Sequence, residues 1–193
     1  MQSIKKDSSY KMIELHSIIP DILYDLKYAT TTNFTGTKLY KSGAKTYLRL
    51  PAAKALAQVQ QELNALGYGL KIFDAYRPYS ATKRMWELIQ DERYVASPAK
   101  GSGHNRGLAV DVTIIDLKTG EELAMGTGFD NFTDTAHQSF KNLPETILQN
   151  RNILVLVMRK HGFLPLATEW WHFYWPNDKD YAVLNLSFKQ LSK

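Results

Sequence analysis

The run GLAVDVTII, from Gly107 to Ile115, sets a single carboxylate in the middle of an apolar strand. Strand alternation puts Leu108, Val110, Val112 and Ile114 on one face and Ala109, Asp111 and Thr113 on the other. A carboxylate projecting from such a strand is unfavourable unless something compensates its charge. Two compensations are open from these residues alone. A metal ion could sit over Asp111, with His104 swinging in from the glycine-flanked loop Ser102 to Gly107. Alternatively, Asp111 pairs with Arg106 or caps a turn, and His104 is a surface histidine.

The rest of the chain reads as helices and strands mixed without regular alternation of strand, helix and strand. That favours α+β, one domain with a central antiparallel sheet flanked by helices. A first helix starts near Pro51, with Ala52, Leu56, Val59, Leu63 and Leu66 at helical spacing and Gly67 as its stop. Leu70 to Ala75 alternates as a strand that ends at Tyr76-Arg77-Pro78. Ser80 is placed to cap a second helix carrying Met85, Leu88 and Ile89. The composition of Asp116 to Gly120 predicts a hairpin turn followed by a further strand. A third helix runs from Pro144 to Lys160 and stops at Gly162, and Phe163 to Trp175 closes the fold as one or two strands. Residues 13–50 read as irregular structure with room for a short strand and turns at Asn33–Gly36 and Ser42–Gly43, and residues 1–12 as a loose end of the single domain 1–193.

Several function classes are disfavoured by composition. The 193 residues contain no cysteine, which excludes disulfides, thiolate ligands and a cysteine nucleophile. The net charge of +5 comes from scattered Lys and Arg, and the lysines near the start (Lys5, Lys6, Lys11) read as a solvated end, not a nucleic-acid patch. No apolar run reaches the roughly 18 residues that span a membrane. The first residues lack the apolar core of a secretory signal, so the chain as it stands reads as cytoplasmic. A trimmed mature form would look the same and would be periplasmic. The pattern specifies neither an oligomeric state nor a biological role.

A second pair of chemically capable residues is Glu169 and His172 in the segment Glu-Trp-Trp-His. In a regular strand they would face opposite ways, so both reach one site only with Glu169 in a loop or bulge before the strand. The bland alternative is a packed core edge beside two tryptophans. Combined with His104 and Asp111, however, two histidines and one carboxylate form the usual protein set of a catalytic zinc, with a fourth position left open. A nearby carboxylate that is not a ligand, here Glu169, then moves the proton. Arg77, at the end of Asp74-Ala-Tyr-Arg-Pro, offers a planar fork suited to a developing oxyanion, or else a surface pair with Asp74.

The order Arg77, then Ser-x-His104-x-x-Gly-x-Ala-x-Asp111, then Glu169-x-x-His172 resembles the zinc D-Ala-D-Ala peptidases, a family whose fold is shared by the hedgehog signalling domain. Asp25 to Gly36 and Met125 to Asp130 are similar to segments of its VanX-type dipeptidases, and the likeness spans residues 20–175. It implies one zinc held by His104, Asp111 and His172, Glu169 as acid/base and Arg77 as oxyanion stabiliser. It also implies that Asp130, Tyr28 and Ser102 hold the ammonium end of a small D-alanyl-D-alanine substrate. A D,D-carboxypeptidase or cell-wall endopeptidase is the alternative within the family, and a non-catalytic hedgehog-like zinc module the alternative outside it. Departures from the family pattern are Gly103, where a polar residue is common, and a short stretch after Pro78. His137 is a candidate for the cleft wall, and His161, at a helix end where a cation favours the dipole, is assigned no site role.

Overall fold

A computed structural model describes residues 7–41 and 43–192. Strands β1 (Met12–Glu14), β2 (Leu23–Tyr24) and β3 (Tyr47–Arg49) lead into helix α1 (Leu50–Ala65) and strand β4 (Tyr68–Asp74). Helices α2 (Tyr79–Leu88) and α3 (Gly103–Arg106) follow, then β5 (Ala109–Asp116), α4 (Glu145–Lys160), β6 (Leu164–Pro165), β7 (His172–Tyr174) and α5 (Phe188–Leu191). The main sheet has the order β2-β4-β5-β7-β6, while β1 and β3 form a separate antiparallel ribbon. The main sheet is antiparallel except at one edge, where the two-residue β2 runs parallel to β4.

The long elements follow from their apolar spacing. In α1, Leu56, Val59 and Leu63 are fully buried, and each contributes about 1.5–3 kcal/mol of burial against the sheet. Gly67 adopts φ of 85°, a left-handed conformation that ends the helix and that glycine takes without strain. On the far side of the sheet from the site, Val110, Val112 and Ile114 of β5 join this core. Leu154, Val157 and Met158 of α4 close it. Among the described residues no helix is long and apolar enough to cross a membrane.

Several expectations change. Helix α2 begins at Tyr79 with Pro78 in the cap position. Ser80 lies inside the helix, and its N–H is taken by Asn185 Oδ1 at 2.9 Å. The turn at Asp116 forms, but the strand expected after it reduces to a single bridge between Ile115 and Glu122. The edge of β5 along which it would run is already occupied: Trp171 O accepts from Val112 N, and His172 pairs with Asp111. Of the start expected to be loose, residues 1–6 lie outside the described set, as does Ser42 of the second expected turn. From Ser8 onward the chain forms a short 3-10 turn capped by Asp7 and then β1.

Candidate active site

Asp111 and His172 are direct cross-strand partners in the β5–β7 ladder, so their side chains leave the same face a few ångströms apart. On the other side of β5, the β4 register shifts between Ile72 and Asp74, which sets Asp74 opposite Asp111. This irregularity re-aims Asp74 and the turn after it towards the site, a common role of bulges beside functional centres. Asp74, Asp111 and His172 therefore stand in one row across the sheet.

His104 comes from the single-turn helix α3. Ser102 accepts from His104 N, while Asn105 Oδ1 accepts from Ser102 N, a capping box. Gly107 ends the turn at φ of 71°, where a side chain would strike Met12. The His104 ring is fixed by Ala75 O, 2.7 Å from Nδ1. A carbonyl only accepts, so the proton sits on Nδ1 and the Nε2 lone pair faces Asp111 and His172.

The resulting separations are short. His172 Nδ1 lies 2.9 Å from Asp111 Oδ1 and 3.1 Å from His104 Nε2, and His104 Nε2 lies 3.4 Å from Asp111 Oδ2. Zinc bonds of about 2.0–2.1 Å at tetrahedral angles separate neighbouring donors by about 3.3 Å. Two ring nitrogens and one carboxylate at these distances fit the donor set of a divalent ion, and one ligand atom from each residue lies within 4.8 Å of the others. Arg106, the alternative partner for Asp111, is turned elsewhere and holds the carbonyls of Ser102 and Lys100.

Glu169 lies in the loop before β7, as its spacing from His172 requires. Its Oε2 is 3.8 Å from His172 Nδ1, and the residue is buried. Burial pushes its carboxyl well above the usual range, and the charges of Asp111 and Asp130 push it further. Asp111 behaves oppositely. Burial would raise it, but His104 and His172 hold it well below an ordinary aspartate. Two carboxyls in one cleft are thus driven apart, Asp111 towards permanent charge and Glu169 towards a higher proton affinity, which makes it the stronger base.

Arg77 and Asp74 do form a pair, but a buried one: Nε donates to Asp74 Oδ2 at 2.8 Å, and Tyr40 OH donates to Asp74 Oδ1 at 2.6 Å. The other end of the guanidinium lies 3.7 Å from Asp111, and its centre sits 4.9 Å from the Tyr28 ring centroid. Tyr28 OH donates to both oxygens of Asp130, at 3.0 and 3.1 Å. Asp130 is half-buried, with a left-handed φ of 57°. Burial and the Asp111 charge push its carboxyl up to about 8. Its loop is pinned by Arg151 of α4, which donates to the carbonyls of Met125, Thr135 and His137.

These groups line one cleft of about 420 Å³, bounded by Tyr28, Arg77, Asp130 and Glu169 around the His104–Asp111–His172 cluster, with Ser102 on its wall. His137 does not reach it, and His161 pairs with Glu62 on the surface at 2.7 Å. Three supporting residues were not expected from the sequence: Tyr40 donates to Asp74, Asn105 donates to the Arg77 carbonyl, and Arg151 holds the loop that carries Asp130. None carries a local sequence signal, since Asn105 lies between His104 and Arg106 and Arg151 between Asn150 and Asn152.

A family model described as D-ala-D-ala dipeptidase, of the M15 peptidases, matches residues 8–191. The chain belongs to that family. A D-alanyl-D-alanine dipeptidase of Escherichia coli K12 is 36% identical over 174 residues, covering 90% of this chain and 89% of the relative. The enzyme of the same name from Enterococcus faecalis V583 is 35% identical over 182 residues, covering 82% and 88%. Among solved structures, the LdcB LD-carboxypeptidase matches with a TM-score of 0.50 at 20% identity, covering 89% of this chain and 70% of its own. That likeness shows a shared fold. Family membership thus rests on sequence along nearly the whole chain and agrees with the α+β architecture.

Proposed function

We propose that this protein hydrolyses D-alanyl-D-alanine to two D-alanines, with one zinc ion held by His104, Asp111 and His172. The observation that carries the reading is the convergence of those donors at 2.9–3.4 Å beside a buried Glu169, in a cleft that also contains the Asp130 carboxylate. The relatives named above are dipeptidases of this specificity, which supports the choice of substrate. An ion in that donor set supplies Lewis acidity and a water acidified towards neutral pH.

The protein's own groups do the rest. Glu169 takes the proton of the attacking water and delivers it to the nitrogen of the departing D-alanine. Arg77, anchored by Asp74, turns the free end of its fork towards the carbonyl oxygen as that oxygen gains charge. Asp130, oriented by Tyr28, pairs with the substrate ammonium, and Ser102 Oγ keeps a second lone pair beyond the one that caps His104. An ammonium recognised beside the scissile bond admits a dipeptide and leaves no place for a longer chain on that side.

Release of D-alanine from a panel of D,D-dipeptides, L,D-dipeptides and muramyl stem peptides, with and without chelator, tests the reading. Chelator-sensitive cleavage of the free dipeptide is expected. Preferential cleavage of stems would replace it with the carboxypeptidase or endopeptidase reading, and no cleavage of any substrate with zinc bound would point to a binding module.

A further inference from the structure

Arg77 lies on the turn after β4 and His104 on α3, 27 positions later in the chain, yet the two must keep a fixed spacing for one to serve the oxygen and the other the metal. Three contacts tie the segments together. Ala75 O meets His104 Nδ1 at 2.7 Å, Arg77 N donates to His104 O at 3.1 Å, and Asn105 Nδ2 donates to Arg77 O at 2.9 Å. Asn105 is fully buried and every polar atom of its side chain is used. Its Nδ2 also donates to Thr82 Oγ1 of α2 at 2.8 Å, and its Oδ1 accepts from Ser102 N at 2.8 Å. Its carbonyl accepts from Leu184 N, whose own carbonyl accepts from Tyr79 N. The amide thus joins the metal-side turn, the arginine turn and α2.

We infer that Asn105 is a positioning residue for the reaction: through the Arg77 carbonyl it sets where the guanidinium stands relative to the metal cluster. The inference rests on the functional reading above. Both main-chain polar groups of Arg77 end on α3, one on His104 and one on Asn105, so the arginine backbone moves with the helix that carries the metal histidine. The guanidinium is held separately by Asp74. Losing the Asn105 amide frees the Arg77 carbonyl, Thr82 Oγ1 and the Ser102 N–H, while Ala75 O continues to hold the His104 ring and Ser102 Oγ continues to cap His104 N. The metal site then survives, and the fork drifts. A misplacement of about 1 Å in such a group costs on the order of 100-fold in rate.

The test is a double-mutant cycle in the zinc-loaded protein. Asn105→Ser and Asn105→Ala are read together, so that one folded variant is enough, and each is also combined with Arg77→Ala. In the otherwise unchanged enzyme the Asn105 variants are expected to lower kcat about 10- to 100-fold. KM should stay within about threefold and zinc content should be unchanged. In the Arg77→Ala background the same change should have almost no further effect on kcat, because the group that Asn105 positions is gone. A kcat unchanged by either Asn105 variant overturns the inference. So does a kcat loss of equal size with and without Arg77, which is what a purely structural or metal-side role would give. The parent enzyme separates this from the functional reading: if it releases no D-alanine, the reading itself falls and takes the inference with it.

Discussion

Asp130→Asn should make the metal-free protein more stable at alkaline pH while crippling it as an enzyme. The Asp130 carboxyl has an ordinary value of 3.8 and is pushed up to about 8 by burial and by the charge of Asp111. Its folded value lies above its unfolded one, so between about pH 4 and pH 8 the native state keeps a proton that the unfolded chain releases. Stability therefore falls across that window as pH rises. At about 1.36 kcal/mol per pH unit the full span sets a ceiling near 6 kcal/mol, and with an effective interior dielectric of about 20 we expect roughly 2 kcal/mol. Asparagine removes the titration, tolerates the left-handed backbone at this position and still accepts from Tyr28 OH.

The assay is thermal unfolding of chelated wild-type and variant protein at about pH 5 and about pH 8. A chain of this size gains about 2–4 °C per kcal/mol, so the variant should melt about 4–8 °C higher at the alkaline pH and show a much smaller gain at the acidic one. Its kcat/KM for D-alanyl-D-alanine should fall at least about 100-fold, because the variant has no carboxyl that can give up its proton and pair with the substrate ammonium. A melting difference that does not grow with pH, or a variant less stable than wild type at about pH 8, would refute the reasoning about this carboxyl.

Glu169→Gln keeps the shape of the cleft but cannot carry a proton, so kcat should drop by about 100- to 10,000-fold with zinc content unchanged by elemental analysis. Arg151→Ala removes the donor to three carbonyls of the loop that holds Asp130, and should raise KM more than it lowers kcat in steady-state kinetics. Tyr40→Phe leaves Asp74 Oδ1 without its hydroxyl donor and should lower stability by about 1–3 kcal/mol in denaturant titration.

Much of this was legible because the decisive residues sit in strongly patterned segments. The apolar alternation around Asp111 fixed β5 and the face on which the carboxylate projects, and helical spacing with a glycine stop located α1 and α4 within a residue or two of their ends. The placement of Glu169 before β7 followed from strand geometry once both residues were taken to serve one site, since their three-residue spacing puts them on opposite faces of a regular strand. Other features had no local signature. Strands of two or three residues, such as β1 and β2, are too short for periodicity to register, and the parallel pairing of β2 depends on a distant partner. The strand expected after Asp116 failed because Trp171 and His172 had taken the edge of β5, a competition that only the tertiary structure reveals. The Asp74–Arg77 pair read as equally compatible with the surface, and its burial depends on Tyr40, 34 positions away. Asn105 looked like a spacer within a histidine motif, although its amide joins three segments.

Zinc stoichiometry in wild type and in His104→Ala, Asp111→Ala and His172→Ala, measured on dialysed protein alongside D-alanine release, tests the central claim most directly. Wild type should carry one zinc per chain and lose turnover when chelated, and each substitution should abolish tight binding and activity together. Full zinc retention by any one of the three variants, or undiminished turnover by rigorously chelated wild type, would contradict it.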